Sequence, residues 1–159
     1  LPSGKPTEKE AAMSLLVQIA DAVVAELNAP AAGFDPPLNA ARHYRPVFDL
    51  AELKTLRVSV VPKGIEITSL GRNANQHDVS VDVAVQKKVV PNDNAEMDGL
   101  MALVERIADL LRLRRLTVGT GVAAAVWVKT ENVPVYSPEH LETKQVFTSV
   151  LTLTFRVCR

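Results

Sequence analysis

The stretch QHDVSVDVAVQKK, residues 76–88, decides how this chain is read. Val79, Val81, Val83 and Val85 alternate with Ser80, Asp82 and Ala84. Successive side chains of a strand point to opposite faces, so this period of two lines up valines on one face and a largely polar row on the other. One face belongs to a core and the other meets water. A sheet of that kind needs apolar helices to cover its buried side.

Working outward, strands come first. Leu56, Val58 and Val60 alternate with Arg57 and Ser59, which predicts a half-buried strand. Pro62-Lys63-Gly64 reads as a turn, with Ile65 and Ile67 in a second short strand and a polar loop over residues 71–76. Turns this short predict antiparallel neighbours, because parallel strands need a long crossover. Helices flank this block. Leu15, Leu16, Ile19, Ala20, Val23, Val24 and Leu27 form a stripe at helical spacing from about Glu8 to Leu27. Thr7 and Glu10 have capping-box spacing, and Asn28 and Pro30 end the helix. A second helix opens over residues 91–96, with Asp93 as N-cap and Glu96 at its third position. Its stripe is Met97, Leu100, Met101, Val104, Ile107, Ala108 and Leu111, and Arg112, Arg114 and Arg115 crowd the end that the helix dipole makes negative. Residues 119–121 break the chain and 122–129 form a strand, with Val122, Ala124, Val126 and Val128 on one face. Residues 131–142 are a polar, Pro-containing loop. The last strand, residues 144–157, alternates Phe147, Leu151, Leu153, Phe155 and Val157 with Thr148, Thr152, Thr154 and Arg156. At about 3.3 Å per residue it is about 45 Å long, enough to outgrow its own sheet and pair with another chain. The expected class is α+β: a largely antiparallel sheet of about four to five strands with two main helices on one side, in the order α-β-β-β-α-β-β. Between the first helix and the strands, the proline-rich residues 29–46 are either an arm wrapped on its own domain or one that reaches a neighbouring subunit.

Composition bounds the function. The 159 residues suit one domain. Apolar residues are 47% and aromatics 4%, so the core is aliphatic. The 18 basic and 18 acidic residues cancel, which excludes a global positive field for nucleic acid and suits a subunit that associates. The single cysteine, Cys158, excludes an intrachain disulfide and a cysteine zinc cluster. No apolar run approaches the roughly 20 residues of a membrane span. Residues 1–12 are polar, without the apolar core of a secretory signal, and are read as a leader or extension before Met13, with residues 13–159 as the domain.

No catalytic constellation emerges. His43, His77 and His140 lie in separate segments without metal-ligand spacing. Asp78 and Asp82 share a strand face but stand about 13 Å apart, beyond the roughly 5–9.5 Å of paired glycosidase carboxylates. Gly119-Thr120-Gly121-Val122-Ala123-Ala124 has the letters of a dinucleotide fingerprint, but it follows a helix and opens a strand, the reverse of what the fingerprint needs. Cys158 has no helix N-terminus to activate it. Lys87-Lys88 and the three arginines lack the interleaved aromatics of a stacking platform, so helix-end charge and strand-edge protection explain them, with a local phosphate contact as the alternative. The expectation is a chain without catalytic, metal-binding or cofactor-binding residues, directed to assembly or binding.

The segment YRPVFDLAELKTLRVSVVP, residues 44–62, with Gly71-Arg72-Asn73 and the run from Gln76 to Lys88, resembles small morphogenesis proteins of tailed phages and prophages. The order of elements resembles the tail-terminator fold. That resemblance implies an α+β subunit with helices on one side of a sheet and a hexameric ring that caps the tail tube and joins it to the head connector. It also implies a virion location, assembly in a bacterial cytoplasm, and partners that are other copies of the chain, the tube protein and the connector. The resemblance further implies that DNA passes the lumen without sequence readout, and no membrane partner is expected. The candidate subunit or tube contacts are Lys87, Lys88, Asn92, Asp93, Glu131, Tyr136 and Arg156, drawn from the last strand and from two loops that are alternatively plain solvent-exposed connections. A head-completion or adaptor protein of the same neck, and a small ligand-binding α+β domain, stand as alternatives.

Overall fold

The computed structural model describes residues 14–45, 50–90, 92–118 and 124–159. Its helices are α1 (Leu15–Asn28), α2 (Asn94–Leu111) and α3 (Pro138–Lys144), with two short 3-10 turns at Pro30–Ala32 and Glu52–Lys54. Its strands are β1 (Ala41–Arg42), β2 (Arg57–Ser69), β3 (Asn75–Lys88), β4 (Arg115–Leu116), β5 (Ala125–Glu131) and β6 (Val146–Cys158). They form one sheet in the order β1-β2-β3-β6-β5-β4, antiparallel throughout except for the parallel pair β1–β2.

The α+β class stands, and the valine strand is central to it. Val79, Val81, Val83 and Val85 are fully buried, opposite Phe155, Leu153, Leu151 and Ser149 of β6. Ile19, Val23 and Leu27 of α1 and Leu100, Val104, Ile107 and Leu111 of α2 close over that same face. Burying each such side chain contributes about 1.5–3 kcal/mol, which is why the two stripes dictate where the helices lie. Ser14 caps α1, its hydroxyl accepting from the Val17 N–H at 3.1 Å. The expected Thr7–Glu10 capping box lies outside the described residues. Asp93 caps α2 as expected, accepting from the Glu96 N–H at 3.1 Å.

Five expectations are corrected. The sheet has six strands rather than four or five, because β1 and β4 are two residues long and too short for any periodicity to register. Pro62-Lys63-Gly64 is a bulge inside one continuous strand, not a turn. The register pairs Pro62 with Val81 and Gly64 with Ser80, so Lys63 is the bulged residue; proline, which has no N–H to give the ladder, is tolerated beside such a bulge. The reversal comes later, where the Leu70 N–H donates to the Ala74 carbonyl at 3.0 Å. The third helix, α3, stands in the segment expected to be loop. Ser137 caps it, accepting from the His140 N–H at 3.3 Å, and Pro138 takes its first turn. The last strand, β6, is an interior strand, with β3 along one side over residues 146–158 and β5 along the other over residues 152–156. It therefore offers no edge over residues 152–156, whereas among the described residues no strand lies beside residues 146–151 opposite β3, so the expectation of an outgrown strand is overturned only in part. Finally, the strand expected at 122–129 runs from Ala125 to Glu131, and a bulge between Trp127 and Lys129 ends the alternation read from Val126 and Val128. Residues 119–123 of the glycine pattern lie outside the described residues.

The connector after α1 wraps its own domain. The Asn28 side chain clamps Ala40 at both backbone groups, at 2.8 and 2.9 Å. Arg42 pairs with Asp21 of α1 at 2.7 Å. The Arg106 guanidinium of α2 lies 4.9 Å from the Phe34 ring centroid and donates to the Gly33 carbonyl. Gly33 sits at φ 74°, a left-handed conformation that ends the first 3-10 turn.

Candidate interaction surface

The second face of the sheet is the chemically loaded one. Alternation turns Asp78, Ser80 and Asp82 of β3 away from the core, and the register sets them opposite Arg156, Thr154 and Thr152 of β6. Their side chains bond across the strands. The Arg156 guanidinium donates to both oxygens of Asp78 at 2.8 and 3.2 Å. The Ser80 and Thr154 hydroxyls meet at 3.5 Å, and the Thr152 hydroxyl donates to Asp82 at 2.6 Å. Lys63, lifted by the β2 bulge, reaches Thr152 at 3.4 Å and Asp82 at 3.8 Å. On the far side, Lys129 and Glu131 of β5 form an ion pair at 2.7 Å.

This pairing tunes the charges. The donated bonds from Arg156 hold the Asp78 carboxyl below the usual carboxylate range, against the opposing effect of desolvation. The bond from Lys129 does the same for Glu131, and Glu131 in turn raises Lys129. Across the face, Lys63 also acts on Glu131 and Glu66 on Lys129. Bonds to Tyr44 and then to Asp21 raise Arg42 at the opposite margin.

Towards one end of this face lies a broad depression of about 450 Å³, bordered by Lys63, Asp82, Glu131, His140, Thr148 and Thr152. His140 Nδ1 lies 3.0 Å from the Thr148 hydroxyl. Among the described residues no group of three or more His, Cys, Asp or Glu side chains is arranged to hold a metal ion. Nor is any described helix long and apolar enough to cross a membrane.

The seven candidate contacts fall into three places. Lys87, Lys88, Asn92 and Asp93 gather where β3 meets α2. There Lys87 pairs with Glu96, Asp93 is occupied as a helix cap, and Lys88 and Asn92 are exposed. Tyr136 belongs to the same end, since the N–H of the next residue, Ser137, bonds the Thr148 carbonyl. Its ring stacks on buried Phe147 with centroids 6.4 Å apart, so it is half-buried rather than displayed. Glu131 stands beside the depression, and Arg156 lies near the opposite end of β6. Sequence reasoning did not single out Lys63, Glu66 and Lys129. The period-two pattern already places Asp78 and Asp82 on the open face, but their partners come from other strands, and Lys63 lies where the sequence predicts a turn.

No protein-family model and no curated protein matches the chain. Solved structures do. One is a chain from the virion of a native gene transfer agent particle, with a TM-score of 0.61 at 16% identity, covering 92% of this chain and 100% of that one. A second, whose printed name states no role, has a TM-score of 0.54 at 19% identity and covers 91% of this chain and 96% of its own. At these identities the likeness shows the fold: over 92% of its length this chain shares its architecture with a component of an assembled particle.

Proposed function

We propose that this protein is a structural component of a tailed, phage-like particle, and within it a tail terminator. In this reading a hexameric ring of subunits caps the tail tube and joins it to the head-side connector. The observation that carries the reading is the fold shared with a chain of the gene transfer agent virion over the full length of that chain. Coverage of this kind compares whole subunits rather than a common supersecondary motif. The element order and residues 44–62 and 71–88, which resemble the tail-terminator family, point the same way. The protein's work in this reading is geometric and includes no chemical reaction. One ring face binds the last ring of tube protein, the other presents a surface to the connector, and DNA passes the lumen without base readout.

Particles made without this protein test the proposal. Intact heads beside overlong or unjoined tails are the expected result. Normal tails beside leaking heads would overturn it in favour of a head-completion protein. Light scattering on the purified chain, alone and with tail tubes, is expected to show a sixfold species.

A further inference from the structure

The margins of the sheet carry complementary chemistry. On one side, β1 covers β2 only at Ser59 and Val60, with one more bond from the His43 N–H to the Val60 carbonyl. Among the described residues no strand lies outside residues 61–69. On the other side, β4 covers β5 only at Ala125 and Val126, extended by the Trp127 N–H to the Arg114 carbonyl. Among the described residues no strand lies outside residues 128–131. Two open edges therefore stand at opposite margins of one sheet, and an open edge is a template for another chain.

We propose that copies of this chain join edge to edge, the outer edge of β2 in one subunit pairing antiparallel with the outer edge of β5 in the next. This deepens the ring reading and rests on it. Because the two edges differ, the contact is heterologous and repeats with a constant rotation, as a closed ring requires.

Both faces of the joint match. On the charged face β2 carries Lys63, whose amine leans inward to Asp82 at 3.8 Å in the lone subunit, and then Glu66. On that face β5 carries Lys129 and then Glu131, which pair with each other at 2.7 Å until a neighbour arrives. Antiparallel pairing sets Lys63 against Glu131 and Glu66 against Lys129, and opposite charges across strands stabilise a pair. The spacings agree as well. Lys63 and Glu66 are three residues apart, but the bulge between Pro62 and Gly64 removes one ladder step, leaving the two steps that separate Lys129 from Glu131. On the core-side face, Ile65 and Ile67 are 44% and 58% exposed. In the joint they meet Trp127 and Thr130, whose partners Phe155 and Leu153 place them on that same face. Charges and bulges ordinarily blunt an edge. Here each edge carries both signs, in the order that the other edge answers.

The test uses the full chain in a Cys158→Ser background, with Glu66→Cys and Lys129→Cys introduced together and singly. Within one subunit these positions lie across three strand spacings, about 14 Å, too far for a disulfide. Oxidation of the double variant is expected to give a disulfide-linked ladder that stops at the ring size, and the single variants at most dimers. Separately, Glu66→Lys or Lys129→Glu alone is expected to reduce assembly at least tenfold, and the two together to restore it. No ladder from protein that is oligomeric by light scattering would overturn the edge joint while leaving the ring reading intact. An open-ended ladder would support the joint and overturn the closed ring. A chain monomeric at every concentration and on tail tubes would overturn both.

Discussion

The ion pair between Asp78 and Arg156 links an open-face contact to a measurable pH effect. Asp78 is bonded by the guanidinium, and its folded pKa lies below its unfolded value. A depressed carboxylate contributes its full stabilisation above the unfolded pKa, about 3.9, and loses it as pH falls through the folded value. Asp78→Asn is therefore expected to remove part of the acid limb of the stability curve below about pH 4. With Arg156 41% exposed the pair is partly screened, so the loss at neutral pH is expected to be about 1 kcal/mol or less, measured by urea denaturation. Gln86 behaves in the opposite sense. It is 1% exposed, and among the described residues neither its amide nitrogen nor its oxygen has a partner. An unsatisfied buried amide costs about 1–3 kcal/mol, so Gln86→Leu, similar in volume and without polar atoms, is expected to raise the denaturation midpoint. Legibility differs between these two. The alternation showed that Asp78 faces away from the core. It did not show that Arg156 answers it, or that Gln86 lies buried on that same face, because both depend on strands brought in from elsewhere.

Among the elements, α2 was written most plainly. Asp93, three residues before Glu96 and at the head of an apolar stripe, predicted the cap that the structure contains. Asp93→Ala is expected to cost about 1 kcal/mol, read as a shift in the midpoint without a change in slope. The Glu96 side chain, by contrast, leaves the box to pair with Lys87 of β3. That tie, between a helix start and a central strand end, replaces the edge-protecting role read for Lys87. The connector shows the same division. Prolines in residues 29–46 announced irregular chain, and the Asn28 clamp on Ala40 decided where it goes. Asn28→Ala leaves a part-buried N–H and carbonyl unpaired and is expected to cost about 1–3 kcal/mol, with faster amide exchange along β1 as the local signature. The missed helix α3 is short and has no buried residue, so it carries no stripe to detect, although its cap, Ser137-Pro138, was visible.

At the scale of the molecule, both helices share one core with the sheet, and that core should fail as a unit. Phe155, fully buried on β6, faces Val79 on one side and Trp127 on the other. Phe155→Ala is expected to cost about 3–5 kcal/mol and to lower the midpoints of helix and strand signals together in a single transition. What the sequence determined by itself was local: which residues alternate, which recur at helical spacing, and which end an element. These follow from backbone geometry and burial, and they sufficed for the α+β class and for the separation of a buried face from a charged one. The tertiary structure alone decided strand order. That order moved β6 into the interior, turned the hairpin expected at Pro62 into a bulged strand, and left residues 61–69 of β2 and 128–131 of β5 without an outer strand among the described residues. Periodicity reports which face of a strand is buried, but not which strand lies beside it. Neighbours are chosen by long-range pairing, and in this protein the surface proposed to meet another copy is defined by the strand segments that lack one among the described residues.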